Sequence, residues 1–153
     1  MIETKQNAEY IAEELDKRVA VHRALRIHWT GCPNSCGQVQ AADIGIMGGP
    51  AKKKNAEGKM KAVPGCQIFV GGTIGEHGAL TLTPEITGIP LDPEDLLPTL
   101  TQIVVDHFGG EVKPEYVDAQ QEWREVVAAE KAAAEAEAAE KAAKKAAAAA
   151  AKV

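Results

Sequence analysis

Residues 30–38 read TGCPNSCGQ. Cys32 and Cys36 stand four positions apart, separated by Pro-Asn-Ser and bracketed by Gly31 and Gly37. Before the pair, LRIHWTG is a short apolar run that glycine and Pro33 bring to a stop, which reads as a strand. After it, SCGQVQAA has the makings of one or two helical turns. Strand, glycine turn and Cys-Pro-x-x-Cys opening a helix suit a metal or a cluster. Residues four apart on a helix share one face. A helix N-terminus offers unpaired N–H groups and partial positive charge, which favour thiolates.

Outward from the pair, residues 3–25 read as an amphipathic helix, with Ile11, Leu15 and Val19 at four-residue intervals. DIGIMGG is a second strand, stopped by Gly48, Gly49 and Pro50, and CQIFVGG a third with the same diglycine ending. Between them AKKKNAEGKMK reads as a charged, exposed loop. TIGEHGALTLTPEITGIPLDPED is rich in Gly, Pro and Thr and reads as irregular. DPEDLLPTLTQIVVDHFGG carries helix signals at both ends. Asp92 is placed to cap, Pro93 takes the first helical position, acids fill the first turn, and Gly109 and Gly110 end it.

From about Asp118 the composition turns to alanine, glutamate and lysine. Alanine leads the helix propensities, and Glu–Lys pairs at i, i+4 add to it. Almost no large apolar residue follows Val127, so residues 118–153 are expected to form a solvated helix or frayed extension without chemistry, next to a domain at 1–117. The fold class is α/β: short strands, flanking helices and long loops, with an Ala-rich C-terminal helix.

The chain has 153 residues and a formal net charge of −5, which argues against nucleic acid as the main partner. No apolar run is long enough to span a membrane. The first eighteen residues, MIETKQNAEYIAEELDKR, lack the pattern of a secretory signal or a transit peptide. Three cysteines are an odd number for a disulfide framework and fit thiols used as ligands or as core. Three uses of the pair stay open on these grounds: a disulfide, a zinc site completed by Cys66 and His28, or half of an iron–sulfur cluster, which takes four thiolates. Cys66 opens an apolar strand and reads as core.

TGCPNSCGQVQAADIGI resembles the siroheme and iron–sulfur signature of the nitrite and sulfite reductases. Thr30, Gly31, Cys32, Cys36, Asp43, Ile44, Gly45 and Ile46 occupy its fixed positions. The form NSCGQVQ is similar to the ferredoxin-dependent nitrite reductases, whereas assimilatory sulfite reductases tend to read GCPNGCAR. RIHWTG, DIGIMGG, IFVGGTIGEH and LLPTLTQIVVDHFGG follow the same pattern, so the resemblance covers about Ile2 to Tyr116. It implies a [4Fe-4S] cluster held by a C-x5-C and a C-x3-C pair. Cys32 would then be a cluster ligand, and Cys36 a ligand that also bridges to siroheme iron. Thr30, Gly31 and Asn34 would shape the pocket, and Gly71 and Gly72 would let backbone approach the macrocycle.

The implied activity is six-electron reduction of nitrite to ammonia in nitrate assimilation, with reduced ferredoxin as donor. The implied compartment is the plastid stroma in an alga or plant and the cytoplasm otherwise. In that family a phrase ending in ETK closes the C-x5-C element, and this chain opens on MIETK. The expectation is a C-terminal part of a longer reductase, whose missing N-terminal part supplies the other two cysteines. The rival readings are a sulfite reductase segment, a dimeric cluster-binding protein, and a relic without cofactor.

Overall fold

A computed structural model describes residues 1–150 of the protein. The chain divides into two compact units, Met1–Glu115 and Tyr116–Val153. The first contains α1 (Lys5–Arg18), β1 (Val19–Ala20), β2 (Ile27–Thr30), a 3-10 turn at Val39–Ala41, β3 (Ile44–Lys54), β4 (Met60–Val70), β5 (Ile86–Pro90), α2 (Pro93–Phe108) and β6 (Glu111–Val112). The second contains α3 (Val117–Ala150). The architecture is α/β.

The main sheet has the order β2-β3-β4-β5; β2 and β3 are parallel and the other pairs antiparallel. A parallel pair needs a crossover of about a dozen residues, usually a helix. Here the crossover is residues 31–43, the cysteine segment itself. Side chains alternate across a strand, and β3 uses both faces. Ile44 and Ile46 join Cys66, Ile68 and Val70 of β4, Ile11 and Leu15 of α1, and Leu96, Leu97 and Leu100 of α2 in one core. Each such fully buried side chain contributes about 2 kcal/mol. On the opposite face Met47 and Phe69 pack with Val39 of the crossover in a small second cluster. α1 and α2 thus cover one face and the cysteine crossover covers the other.

Four sequence expectations change. The first helix ends at Arg18 instead of running to residue 25. Lys113 takes over its end, donating its N–H to Arg18 O at 2.8 Å and its ammonium to Asp16 O at 2.6 Å. Val19 leaves the helix extended, and β1 pairs antiparallel with β6.

The lysine-rich stretch 51–61 is the end of a long hairpin, with Lys54 opposite Met60. Asn55 closes it by accepting the N–H groups of Glu57 and Lys59 on its side-chain oxygen, and Gly58 takes φ +75°. Pro50 does not stop β3. It faces Pro64, and both lie beyond the reach of the other neighbouring strand: β2 stops opposite Met47 and β5 opposite Gly65. No ladder donor is lost there.

Third, the segment read as irregular contains β5. Gly88, at φ +75°, is the extra residue of a bulge where the register shifts between Cys66 and Gln67. Fourth, Asp92 precedes α2 but makes no side-chain cap; its carboxylate bonds Lys53 Nζ at 2.9 Å, and Asp95 bonds the same ammonium at 2.6 Å. The C-terminal signal is as read, with Gly109 left-handed and Gly110 N–H donating to Val104 O.

In the second unit residues 124–146 are all exposed. Glu137–Lys141 and Glu140–Lys144 pair at i, i+4 along α3. The last three residues of the tail, 151–153, lie outside the described residues.

Candidate functional site

Two consecutive turns carry the cysteine pair. Ser35 N–H donates to Cys32 O at 3.3 Å, and Gln38 N–H donates to Ser35 O at 2.9 Å. The chain then enters the 3-10 turn through Ala41 N–H to Gln38 O at 3.1 Å. Ser35 and Gln38 are left-handed, at φ +53° and +51°. No helix opens at the pair, because these left-handed residues interrupt every run of helical dihedrals before Val39. The argument from a helix terminus therefore gives way to one from the loop. Among the described residues the backbone N–H groups of Asn34, Cys36 and Gly37 find no acceptor, which leaves them available to sulfur.

Glycines let this loop lie flat on the sheet. A Cβ on Gly37 would meet Trp29 O at 2.0 Å, and one on Gly45 would meet Val39 O at 2.1 Å. Thr30 ends β2 at 4% exposure, its hydroxyl 3.5 Å from Cys32 O. Gly31 O accepts Ile2 N–H at 3.0 Å, and Ile2 O lies 2.8 Å from where a Gly31 Cβ would be. Asn34 is exposed on the first turn. Cys32 is half-buried and Cys36 exposed.

The loop after β4 comes to the same place. Thr81 N–H donates to Gln40 O at 2.9 Å, and Gly71 N–H to Asp43 O at 2.9 Å. Gly71 is left-handed, at φ +88°, with open space where a Cβ would stand. Gly72 differs: a Cβ there would sit 2.3 Å from Gln40 O and 2.7 Å from Ala42 O. The close approach at Gly72 is made by the protein's own backbone.

Asp43 is the acid of the motif, and its role comes from the fold. It is 3% exposed and closes the far end of the loop. Oδ1 accepts Arg23 Nη2 at 2.7 Å, and Oδ2 accepts Arg26 Nε at 3.0 Å and Arg26 N–H at 2.9 Å. Burial alone pushes this carboxyl up, but the hydrogen bonds from Arg23 and Arg26 outweigh it and hold the pKa down at about 2. Ser35 Oγ donates to Gln40 Oε1 at 2.6 Å, a link that nothing in the two residue types signals.

Cys66 is fully buried in the helix-side core, and burial pushes its thiol up to about 12. It stays protonated there. His28 Nδ1 lies 3.2 Å from Gln38 O and donates to it. Among the described residues no three His, Cys, Asp or Glu side chains gather into a metal site, and Cys66 sits in the helix-side core, across the sheet from the cysteine loop. The donor set is two thiols on an exposed loop with unpaired N–H groups beside them. It fits half of a four-thiolate cluster site.

The family of the nitrite and sulphite reductase 4Fe-4S domain matches residues 2–136, past the Tyr116 at which the motif resemblance stops. A ferredoxin–nitrite reductase of Leptolyngbya laminosa is 43% identical over 113 residues, 74% of this chain and 21% of the relative. A chloroplastic ferredoxin–nitrite reductase of Zea mays is 46% identical over 109 residues, 71% of this chain and 18% of the relative. One of Pinus sylvestris is 41% identical over 105 residues, 69% of this chain and 93% of the relative. The chain spans about a fifth of the length of the first two.

Proposed function

The chain belongs to the nitrite and sulphite reductase 4Fe-4S domain family, and we propose that it is the segment of a ferredoxin-dependent nitrite reductase that supplies Cys32 and Cys36 to a [4Fe-4S] cluster. The observation that carries this reading is the pair of thiols on one exposed loop whose neighbouring N–H groups are unpaired. Bound there, the cluster and a coupled siroheme supply one-electron transfer and a metal centre for nitrite. The overall reaction is six-electron reduction of nitrite to ammonia in nitrate assimilation, with reduced ferredoxin as electron donor.

In this reading Cys32 and the more exposed Cys36 would be the two thiolates that hold the cluster, with Cys36 the one that would also serve the siroheme. The N–H groups of Asn34, Cys36 and Gly37 donate to sulfur, a contact that raises cluster potentials. Thr30 and Gly31 fix the entry of the loop onto the sheet, and Asn34 lies on its outer rim. Gly71, with open space at its α-carbon, is the glycine that would leave room for a macrocycle, while Gly72 packs against the Gln40 carbonyl of the loop. The remaining two thiolates come from another part of the same reductase. We take the domain as residues 1–117 and residues 118–153 as its tail, whose described part lies in α3 (Val117–Ala150).

The names of the relatives favour nitrite over sulfite, and chloroplastic relatives from plants support a plastid stroma for a plant or algal protein and the cytoplasm for a bacterial one. No helix among the described residues is long and apolar enough to cross a membrane.

Anaerobic reconstitution with ferrous iron, sulfide and a small thiol to complete the ligand set tests the reading. The wild-type chain should gain the visible charge-transfer absorption of a cluster, and Cys32→Ser and Cys36→Ser should each abolish it. A wild-type chain that takes up no iron, or a Cys36→Ser chain that keeps the cluster, overturns it.

A further inference from the structure

We propose that Ser35 is the positioning residue of the cysteine pair: its hydroxyl, bonded to Gln40, fixes how the Cys32 and Cys36 sulfurs stand to one another. The inference rests on the reading that both thiols serve one ligand.

Ser35 is the last residue of the first turn and the first of the second. It donates its N–H to Cys32 O and accepts Gln38 N–H on its own carbonyl. Any rotation about its backbone swings Cys36 relative to Cys32. Its φ of +53° lies in the left-handed region, which residues with a Cβ enter only when something holds them there. The hydroxyl supplies that hold, donating to Gln40 Oε1 at 2.6 Å.

Gln40 is a fixed point. It belongs to the 3-10 turn, its carbonyl accepts Thr81 N–H at 2.9 Å, and Gly72 packs against that same oxygen. A connected path therefore runs from the end of β4, through Gln40, to the residue between the cysteines. Glycine at position 35 would accept the dihedral without strain, but it would also accept others. A serine tied to Gln40 selects one. Ligand pairs held in one geometry bind more tightly because less freedom is lost on binding.

The test needs no cluster. Phenylarsine oxide condenses with two thiols to form two As–S bonds and release water, with no change in oxidation state, so its affinity reports whether two sulfurs stand within one arsenic's reach. It would be titrated anaerobically against reduced wild-type chain, Ser35→Ala, Ser35→Gly, Gln40→Ala and the single-thiol Cys32→Ser control. Rates of iodoacetamide alkylation at Cys32 and Cys36 would be followed by mass spectrometry, and circular dichroism would confirm folding. Buried Cys66 does not compete.

Both Ser35 variants and Gln40→Ala should bind the arsenical about tenfold more weakly than wild type, while each alkylation rate stays within about twofold. Ser35→Gly keeps the test decisive if Ser35→Ala fails to fold, because it removes the hydroxyl and the strain together. Variants that bind like wild type overturn the proposal. So does a wild-type chain that binds no better than the single-thiol control. Iron uptake in the reconstitution above reports separately: a chain that captures arsenic but not iron sinks the cofactor reading alone.

Discussion

A Cβ placed on Gly72 would stand 2.3 Å from the carbonyl oxygen of Gln40, closer than any real side chain approaches backbone. Neither partner has a flexible end to move. Gly72→Ala should therefore cost about 3 kcal/mol of stability and displace the cysteine loop. Gly58→Ala is the contrast, since Gly58 is left-handed with nothing within 4 Å, and strain alone costs about 1 kcal/mol. Denaturant midpoints of the two variants separate collision from strain; equal losses would contradict the packing described here.

The clamp on Asp43 predicts a pH dependence. Its folded pKa of about 2 lies below the ordinary 3.8. A depressed carboxyl contributes stability that is present above about 4 and lost as the pH falls toward 2. The contribution is on the order of 2 kcal/mol, reduced by the solvent exposure of the two arginines. Unfolding curves between these pH values should show a slope in the wild type that flattens in Asp43→Asn. A slope that survives the substitution would place the titrating group elsewhere.

Cys66 should behave as a core residue. At mildly alkaline pH an alkylating reagent should label Cys32 and Cys36 and spare Cys66 until the chain unfolds, as peptide mass mapping would read. Its thiol ionises near 9 when unfolded and near 12 when folded. The stability it contributes is therefore complete below 9 and drains away as the pH climbs toward 12. Cys66→Ala should cost about 1 kcal/mol and leave a reconstituted cluster spectrum unchanged. Loss of the spectrum would make Cys66 a ligand.

At the far end of the sheet, Asn55→Ala removes the acceptor of two turn N–H groups. It should destabilise the hairpin by about 1 kcal/mol, and faster amide exchange at Lys54 and Met60 should accompany the loss. Exchange at Ile44 and Ile68, deep in the helix-side core, should not change.

Much of this architecture is legible in residue order. The apolar alternation of DIGIM and QIFV places both central strands, and Pro93 with Gly109 brackets α2. Two thiols at a set spacing from Asp43 mark the candidate site. Three features stay hidden, each for a physical reason. Lys52–Lys54 form a strand because β4 supplies partners that no local propensity encodes. Pro50 is tolerated because β2 stops opposite Met47, so no neighbouring strand needs a donor from position 50. The helix expected after Cys32 is interrupted by left-handed Ser35, held by Cys32 and Gln40, and left-handed Gln38, bonded to Ser35 and His28, so the break depends on tertiary contacts rather than on local preference.

The two-sided use of β3 has an evolutionary corollary. Ile44 and Gly45 are neighbours in the gene, yet they answer to different constraints. Ile44 is held by volume and hydrophobicity, so Val or Leu is a modest change there. Gly45 lies under the Val39 carbonyl, where even one methyl group collides. A saturation survey of this strand should trace a saw-tooth, with tolerant and intolerant codons alternating along it. Drift can remodel the helix-side core step by step, while the loop side admits change only through insertion, deletion or concerted replacement.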